Sequence, residues 1–203
     1  SASDDIENAK DSDGNEIVVF DMAFEEGSEP KTIFNEAVIT DPDGSLSNIY
    51  PTKAEIEILG YVPGEDYIEV SNNYSPPDGL TKEINSVTGE FSLKNDNGSI
   101  VLSAVFDPGP GNFLVENSNL KLFSFENLKD LLSNLLYKNE SQDPATTDRE
   151  IKISVFDDKN TKSQDFSKII KISSVNDNPS VNLDVSTAYI GSVHQVKGLP
   201  ISP

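Results

Sequence analysis

The stretch that decides the fold is Ser174-Val175-Asn176-Asp177-Asn178-Pro179, which lies between two apolar, strand-like segments at 169–172 and 181–183. Proline lacks a backbone N–H and therefore ends the preceding strand. Adjacent side-chain oxygens at such a hinge contribute little to packing, but they are the ligands that calcium prefers in proteins. The sequence therefore predicts a calcium-binding hinge between two β-domains.

The net charge limits the partners that the chain can have. It carries 35 Asp and Glu against 15 Lys and Arg, a formal charge of −20. Self-repulsion of this size destabilises a compact fold unless counter-ions relieve it. Nucleic acid is excluded as a partner because phosphate contacts need basic patches, and Ca²⁺ is the expected cofactor. No apolar run reaches the roughly 18 residues of a membrane span, so we expect no direct membrane insertion.

Catalytic residues are scarce. The chain has no cysteine, which rules out disulfides and Cys-ligated zinc. The single histidine, His194, follows the hinge, so no His-based triad or His-ligated zinc site is expected within the preceding unit. A carbohydrate-active enzyme would need a pair of carboxylates in one cleft, and nothing in the sequence places two there. We therefore expect that the protein is not an enzyme.

Short strand-like segments separated by Gly, Pro and Asn recur along the chain. Clear examples are 54–59, 67–70 and 149–156, where apolar residues alternate with polar ones. Strands at intervals of about 8–12 residues are typical of a β-sandwich. The sequence predicts an all-β fold.

One segment has the periodicity of a helix instead. Apolar residues at spacings of three and four share one face between 125 and 135, and Ser124 can serve as the N-cap. We predict one short helix packed against the sandwich. The face consists of Phe125, Leu128, Leu131, Leu132 and Leu135.

An acidic hinge followed by a strand occurs near both ends of the chain. A fixed offset superposes Asn15 on Asn178 and Asp21 on Asp184. Such periodicity indicates tandem repeats, with chance similarity as the alternative in a chain rich in Asp and Asn. We expect an N-terminal linker and calcium-junction segment at 1–16, one complete repeat at 17–178, and the start of the next repeat or a trailing linker at 179–203.

Acidic clusters at strand ends are the candidate calcium ligands. The strand at 149–156 separates Asp148 from Asp157 by about 30 Å, which defines two poles, and Glu25 and Glu26 lie near these clusters in the strand plan. Turn chemistry without a metal is the alternative for each acid taken singly. The pole at the hinge comprises Asp148, Glu150, Asn176, Asp177 and Asn178. The opposite pole comprises Asp11, Asp13, Asp41, Asp43, Asp157 and Asp158.

At these positions the chain resembles cadherin repeats. Asp148-Arg149-Glu150 resembles the Asp-Arg-Glu motif, and Asn176-Asp177-Asn178-Pro179 resembles the end of the Asp-x-Asn-Asp-Asn-Pro motif. Asp41-Pro42-Asp43 looks like the Asp-x-Asp motif, and Glu25 or Glu26 like the glutamate of the first strand. Ser174 stands where the hinge motif has its first Asp, so one carboxylate fewer is available there.

The middle of the chain is similar to the long cadherin-like, Ig-like repeats of large bacterial surface adhesins. Gly60–Asp66 matches Gly-Tyr-x-Pro-Gly-Glu-Asp, and Tyr137–Pro144 matches Tyr-x-Asn-x-Ser-x-x-Pro. The resemblance implies a cadherin/Ig-like Greek-key β-sandwich with an inserted region containing one short helix.

The same resemblance implies an extracellular function at the cell surface. The unit would be a calcium-rigidified stalk or adhesion module whose partners are neighbouring repeats of the same chain. The alternative is a ligand-binding module that recognises a surface glycan or a protein through the inserted region 60–145.

Overall fold

The structure of the protein is a computed structural model that describes residues 7–10, 16–35 and 50–176. Within these ranges the chain forms twelve strands and one helix. The strands are β1 (Glu7–Lys10), β2 (Glu16–Glu25), β3 (Lys31–Thr32), β4 (Lys53–Leu59), β5 (Asp66–Val70), β6 (Leu80–Ile84), β7 (Phe91–Asn95), β8 (Ile100–Asp107), β9 (Asn112–Asn117), β10 (Leu135–Asn139), β11 (Arg149–Phe156) and β12 (Phe166–Ser173), and the helix is α1 (Phe125–Leu132).

The described strands form two sheets. The larger has nine strands in the order β1-β2-β12-β11-β4-β9-β8-β7-β6, and the smaller has the order β3-β10-β5. Neighbouring strands are antiparallel except β2 and β12, which run parallel. Apolar residues of both sheets and of α1 form one buried cluster. The protein is thus mostly β, in a sandwich-like arrangement with one short helix, as the sequence predicts.

The strand β4 illustrates how a period of two builds the core. Ala54, Ile56 and Ile58 are buried, whereas Glu57 between them is exposed. Successive side chains of a strand point to opposite faces, so one face of β4 packs inward and the other meets solvent. The sequence predicted this strand at 54–59, and it begins one residue earlier.

Helix α1 begins directly after the predicted cap, but it ends at Leu132, before the last residue of the predicted apolar face. The Ser124 Oγ accepts a hydrogen bond from the Asn127 amide at 3.3 Å, which satisfies one of the free N–H groups of the first turn. Asn134 Nδ2 donates to the Asp130 carbonyl at 2.8 Å and closes the other end. Leu135 therefore lies outside the helix. It is buried as the first residue of β10, which pairs with β3 and β5.

The segment 71–134 enlarges one sheet only. The strands β6, β7, β8 and β9 pair in sequence order as an antiparallel meander, and β9 then pairs with β4. All four strands thereby join the nine-stranded sheet, while the smaller sheet keeps three. The outer edge of β5 consequently faces the meander across the sandwich.

A glycine in the turn between β8 and β9 tests this packing. Gly111 has φ +77°, and a Cβ atom there would lie 2.3 Å from Cγ of Tyr61. We expect Gly111→Ala to lower the free energy of unfolding by about 3 kcal/mol, because backbone strain and the displaced ring both contribute. Urea unfolding measures the change.

Gly98→Ala is the matched control for that substitution. Gly98 has φ +76°, and nothing lies within 4 Å of its added Cβ, so only backbone strain of about 1 kcal/mol is expected. Equal losses in the two variants would show that the contact with Tyr61 contributes nothing.

Candidate functional site

Three adjacent strands bring the hinge and several predicted ligands to one end of the large sheet. Parallel pairing places Glu25 of β2 opposite Ser173 of β12. Antiparallel pairing places Glu150 of β11 opposite Ile169 of the same strand. The last residues of β2 and β12 and the first residues of β11 therefore share one end, which we call the hinge pole. It comprises Glu25, Glu26, Asp148, Glu150 and the segment Ser174–Asn176.

The contact between Glu26 and the hinge is direct. The Glu26 Oε2 atom accepts a hydrogen bond from the Val175 amide at 2.8 Å. The Glu26 amide donates in turn to the Ser173 carbonyl at 2.9 Å. A carboxylate directly after the first long strand is thus fixed against the backbone that leads toward Asp177 and Asn178, which lie outside the described residues.

The spacing of the strands bounds the distance between the flanking acids. β2 and β11 lie on either side of β12, about 10 Å apart at the usual distance between neighbouring strands. Asp148 is exposed and Glu150 is partly buried. The register offsets Glu150 from Glu25 by four residues of β12, about 13 Å along the strand, so Asp148 lies closer to the hinge than Glu150 does.

The opposite end of β11 carries a turn in which one predicted ligand has a backbone role. The Asp157 Oδ1 atom accepts hydrogen bonds from the Lys159 amide at 2.9 Å and the Thr161 amide at 2.6 Å. The Thr161 bond is the main reason that the pKa of Asp157 lies below its usual value. One oxygen of Asp157 therefore stabilises the turn. Asp158 is exposed beside it.

The remaining predicted ligands at this second pole cannot be compared with the structure. Asp11, Asp13, Asp41 and Asp43 lie outside the described residues. Within the ranges that are described, no group of three or more His, Asp or Glu side chains is close enough to hold a metal ion.

A buried charge cluster that the sequence did not predict lies beneath the hinge pole. Arg149 is fully buried between Asp148 and Glu150, since the period of a strand turns it inward and its neighbours outward. Its Nε donates to Asp66 Oδ2 at 2.7 Å, and its Nη2 lies 3.3 Å from Glu65 Oε2. Its Nη1 donates to the carbonyl of Thr147.

Asp66, the partner of Arg149, is also fully buried and has four donors. Its Oδ2 accepts from the Val62 amide at 2.8 Å as well as from Arg149. Its Oδ1 accepts from Tyr137 Oη at 2.5 Å and from Asn139 Nδ2 at 2.9 Å. Buried charges are tolerated only with such complete pairing. We call these five residues and Glu65 the Arg149 network.

The Arg149 network joins the two sheets at the hinge pole. Arg149 belongs to the large sheet, whereas Asp66 and Tyr137 belong to the small one. Burial, followed by the hydrogen bond to Asp66, raises the pKa of Tyr137 and keeps its hydroxyl a donor. The Tyr137 ring packs edge-on against Phe24 of β2 at 5.1 Å. The network therefore supports the backbones of both strands that flank the hinge.

The signal for this network was present in the sequence but lacked a physical explanation. The two motifs quoted from the middle of the chain, 60–66 and 137–144, supply Val62, Glu65, Asp66, Tyr137 and Asn139. The structure shows that these motifs contact each other and the arginine of the Asp-Arg-Glu segment. In the sequence alone, these three segments are separate features.

Comparison with models of protein families, with curated proteins and with solved structures found no match. Among the described residues, no helix is long and apolar enough to cross a membrane. Inferences about function therefore depend on the geometry of the hinge pole and on the surfaces of the sandwich.

The buried ion pair makes a direct prediction for stability. Arg149→Met leaves the Asp66 charge buried without its counter-charge, and we expect the free energy of unfolding to fall by about 3–5 kcal/mol. The milder Tyr137→Phe removes one donor to Asp66 and should cost about 1–3 kcal/mol. Urea unfolding followed by circular dichroism measures both.

Lys152→Met is the control, on the same strand as Arg149. Lys152 Nζ lies 2.7 Å from Asp165 Oδ2, and both side chains are about one-third exposed. Its loss should cost at most about 1 kcal/mol. A loss as small for Arg149→Met would contradict the central role of the network.

Proposed function

We propose that the chain is a calcium-binding repeat of an extracellular, cell-surface adhesin, in which bound Ca²⁺ stiffens the junction with a neighbouring repeat. One observation carries this proposal: the ends of three adjacent strands place Glu25, Glu26 and Asp148 around the start of the hinge, with Glu150 further along β11. The hydrogen bond between Glu26 and the Val175 amide supports it further.

The chemistry of calcium fits such an arrangement. Ca²⁺ takes six to eight oxygen ligands at about 2.3–2.6 Å and accepts carboxylates, amide oxygens and backbone carbonyls. The hinge pole offers carboxylates from two strands, and the hinge itself adds Asn176, Asp177 and Asn178. A bound cation would also offset the repulsion among these acids in a chain of net charge −20.

The finer identity of the fold belongs to the same proposal. A Greek-key β-sandwich of the Ig type packs two mostly antiparallel sheets face to face. The nine-stranded sheet and the separate sheet β3-β10-β5, which share one buried core, support this identity. The repeat would then span 17–178, with 71–134 as the main part of the insertion.

In this role the protein has no catalytic task and does not bind nucleic acid. Its partners are the neighbouring repeats of the same chain, which would complete the coordination at each pole. The second pole, with Asp157 and Asp158, would repeat the arrangement with Asp11, Asp13, Asp41 and Asp43.

Calcium should stabilise the isolated chain by mass action. At a hundredfold excess over the dissociation constant, one site contributes about 2.7 kcal/mol, which corresponds to a rise in Tm of about 5–10 °C for a domain of this size. We expect this rise in millimolar CaCl₂ relative to EDTA, and a smaller one in MgCl₂, which requires stricter octahedral geometry. Differential scanning calorimetry measures it.

Substitutions at the hinge pole locate the ions. Glu26→Gln keeps an acceptor for the Val175 amide but removes the negative charge. Asp148→Asn removes the negative charge at the other flank. Each should lower calcium affinity by about tenfold or more in isothermal titration calorimetry. The control Asp96→Asn removes an exposed acid in the turn between β7 and β8 and should leave affinity unchanged. Equal effects in all three variants, or no response to calcium, would refute the proposal.

A further inference from the structure

The strand β6 forms an exposed edge of the large sheet. Among the described strands it is the last of nine, and it pairs with β7 on one side only. The residues from Thr81 to Ile84 are all exposed. An exposed strand edge offers backbone N–H and C=O groups to any second strand, and it is a site of association unless the protein protects it.

The hydrogen bonds of the β6–β7 hairpin show which backbone groups face this edge. The Asn85 amide donates to the Glu90 carbonyl at 2.9 Å, across the end of the hairpin. Bonded and non-bonded pairs alternate along antiparallel strands, so Glu83 also bonds to β7. The N–H and C=O groups of Lys82 and Ile84 therefore point away from β7, toward the open edge.

Lys82 places a positive charge in the middle of this edge. It lies opposite Leu93 in the register of the hairpin, and Leu93 is fully buried. Opposite residues of an antiparallel pair share one face of the sheet, so the Lys82 side chain starts on the core side. Its neighbours on that face of β6 are apolar, namely Leu80 and Ile84. An inward-pointing charge on an edge strand is one of the ways in which proteins prevent edge pairing.

The ammonium group of Lys82 is held in place by backbone carbonyls. Its Nζ atom donates to the carbonyl of Asn72 and, at 2.8 Å, to that of Tyr74. Tyr74 is anchored in turn, because its side chain is buried and its ring packs edge-on against Phe91 at 5.7 Å. The charge therefore cannot move away without giving up two charge-assisted hydrogen bonds.

We propose that Lys82 keeps the protein from associating through β6, by blocking antiparallel pairing with the same edge of a second copy. Two copies related by a two-fold axis use the same surface on both sides, so pairing centred on β6 sets Lys82 opposite its own counterpart. Like charges directly opposite each other destabilise a strand pair, and an incoming strand would also have to displace or bury the ammonium. This role does not rest on calcium binding, because it involves no residue of the hinge pole.

Sedimentation velocity over a range of protein concentrations tests the proposal. The net charge of −20 also opposes association, so the comparison is made in EDTA and 1 M NaCl, where the Debye length is about 3 Å. We expect Lys82→Met to associate at least about tenfold more tightly than the wild type, because no charge has to be buried. Lys82→Arg keeps the charge and should behave like the wild type.

Lys94→Met is the matched control on the neighbouring strand. Lys94 forms an ion pair with Glu83, and its side chain is about one-third exposed. The substitution changes the net charge by the same amount as Lys82→Met but leaves the charge on the edge in place. It should leave association unchanged.

Hydrogen exchange identifies the surface that pairs. In associated Lys82→Met the Ile84 amide should gain protection, whereas the Glu83 amide, which bonds to β7, should be protected with and without association. Adding Ile84→Lys to Lys82→Met returns a charge to the same edge and should restore the monomer.

Urea unfolding checks that each variant is folded, and Lys82→Gln replaces Lys82→Met, with the same expected results, should the latter not fold. The proposal is overturned if the neutral variant associates no more tightly than the wild type, or if Lys94→Met associates equally. It is also overturned if the Ile84 amide gains no protection on association, or if Ile84→Lys does not restore the monomer.

Discussion

The pairing of Arg149 with Asp66 is the interaction on which the arrangement of the hinge pole depends. A guanidinium and a carboxylate that are both fully buried have lost their hydration, and only complete pairing offsets that cost. Asp66 meets this condition with four donors, one of them the hydroxyl of Tyr137. The pair fixes the first residue of β11 against the small sheet. It thereby positions Asp148, which is exposed, and Glu150, which is partly buried, on either side of Arg149.

The two sheets differ in size, and this difference shapes the core of the molecule. The meander of β6 to β9 adds four strands to one sheet and none to the other. Helix α1 covers part of the resulting apolar face with Phe125, Leu128, Leu131 and Leu132. The remaining part lies beside β5, where Ile68 and Val70 are buried. One insertion therefore enlarges the core on the side of the small sheet.

Local patterns predicted the fold well, whereas long-range contacts escaped prediction. Alternation identified β4 and β11, and the cap at Ser124 identified the start of α1, because each depends on neighbours in sequence. Strand β10 was missed since Leu135 continues the helical spacing of the residues before it. The network was missed because Asp66 and Arg149 lie 83 positions apart. At the hinge, the sequence predicted that Asp148 and Glu150 lie at the same pole. Asp177 and Asn178, which were predicted to join them there, lie outside the described residues.

The parallel pairing of β2 with β12 has a mechanical consequence. The chain enters β2 at Glu16 and leaves β12 at Ser173, so these points lie at opposite ends of two neighbouring strands. A pulling force applied between them acts along the strands and loads all six paired positions in shear at once. Antiparallel hairpins such as β1 and β2 are loaded differently, since their bonds can open one after another from the end. The parallel order of β2 and β12 thus means that tension between Glu16 and Ser173 acts on this pair in shear.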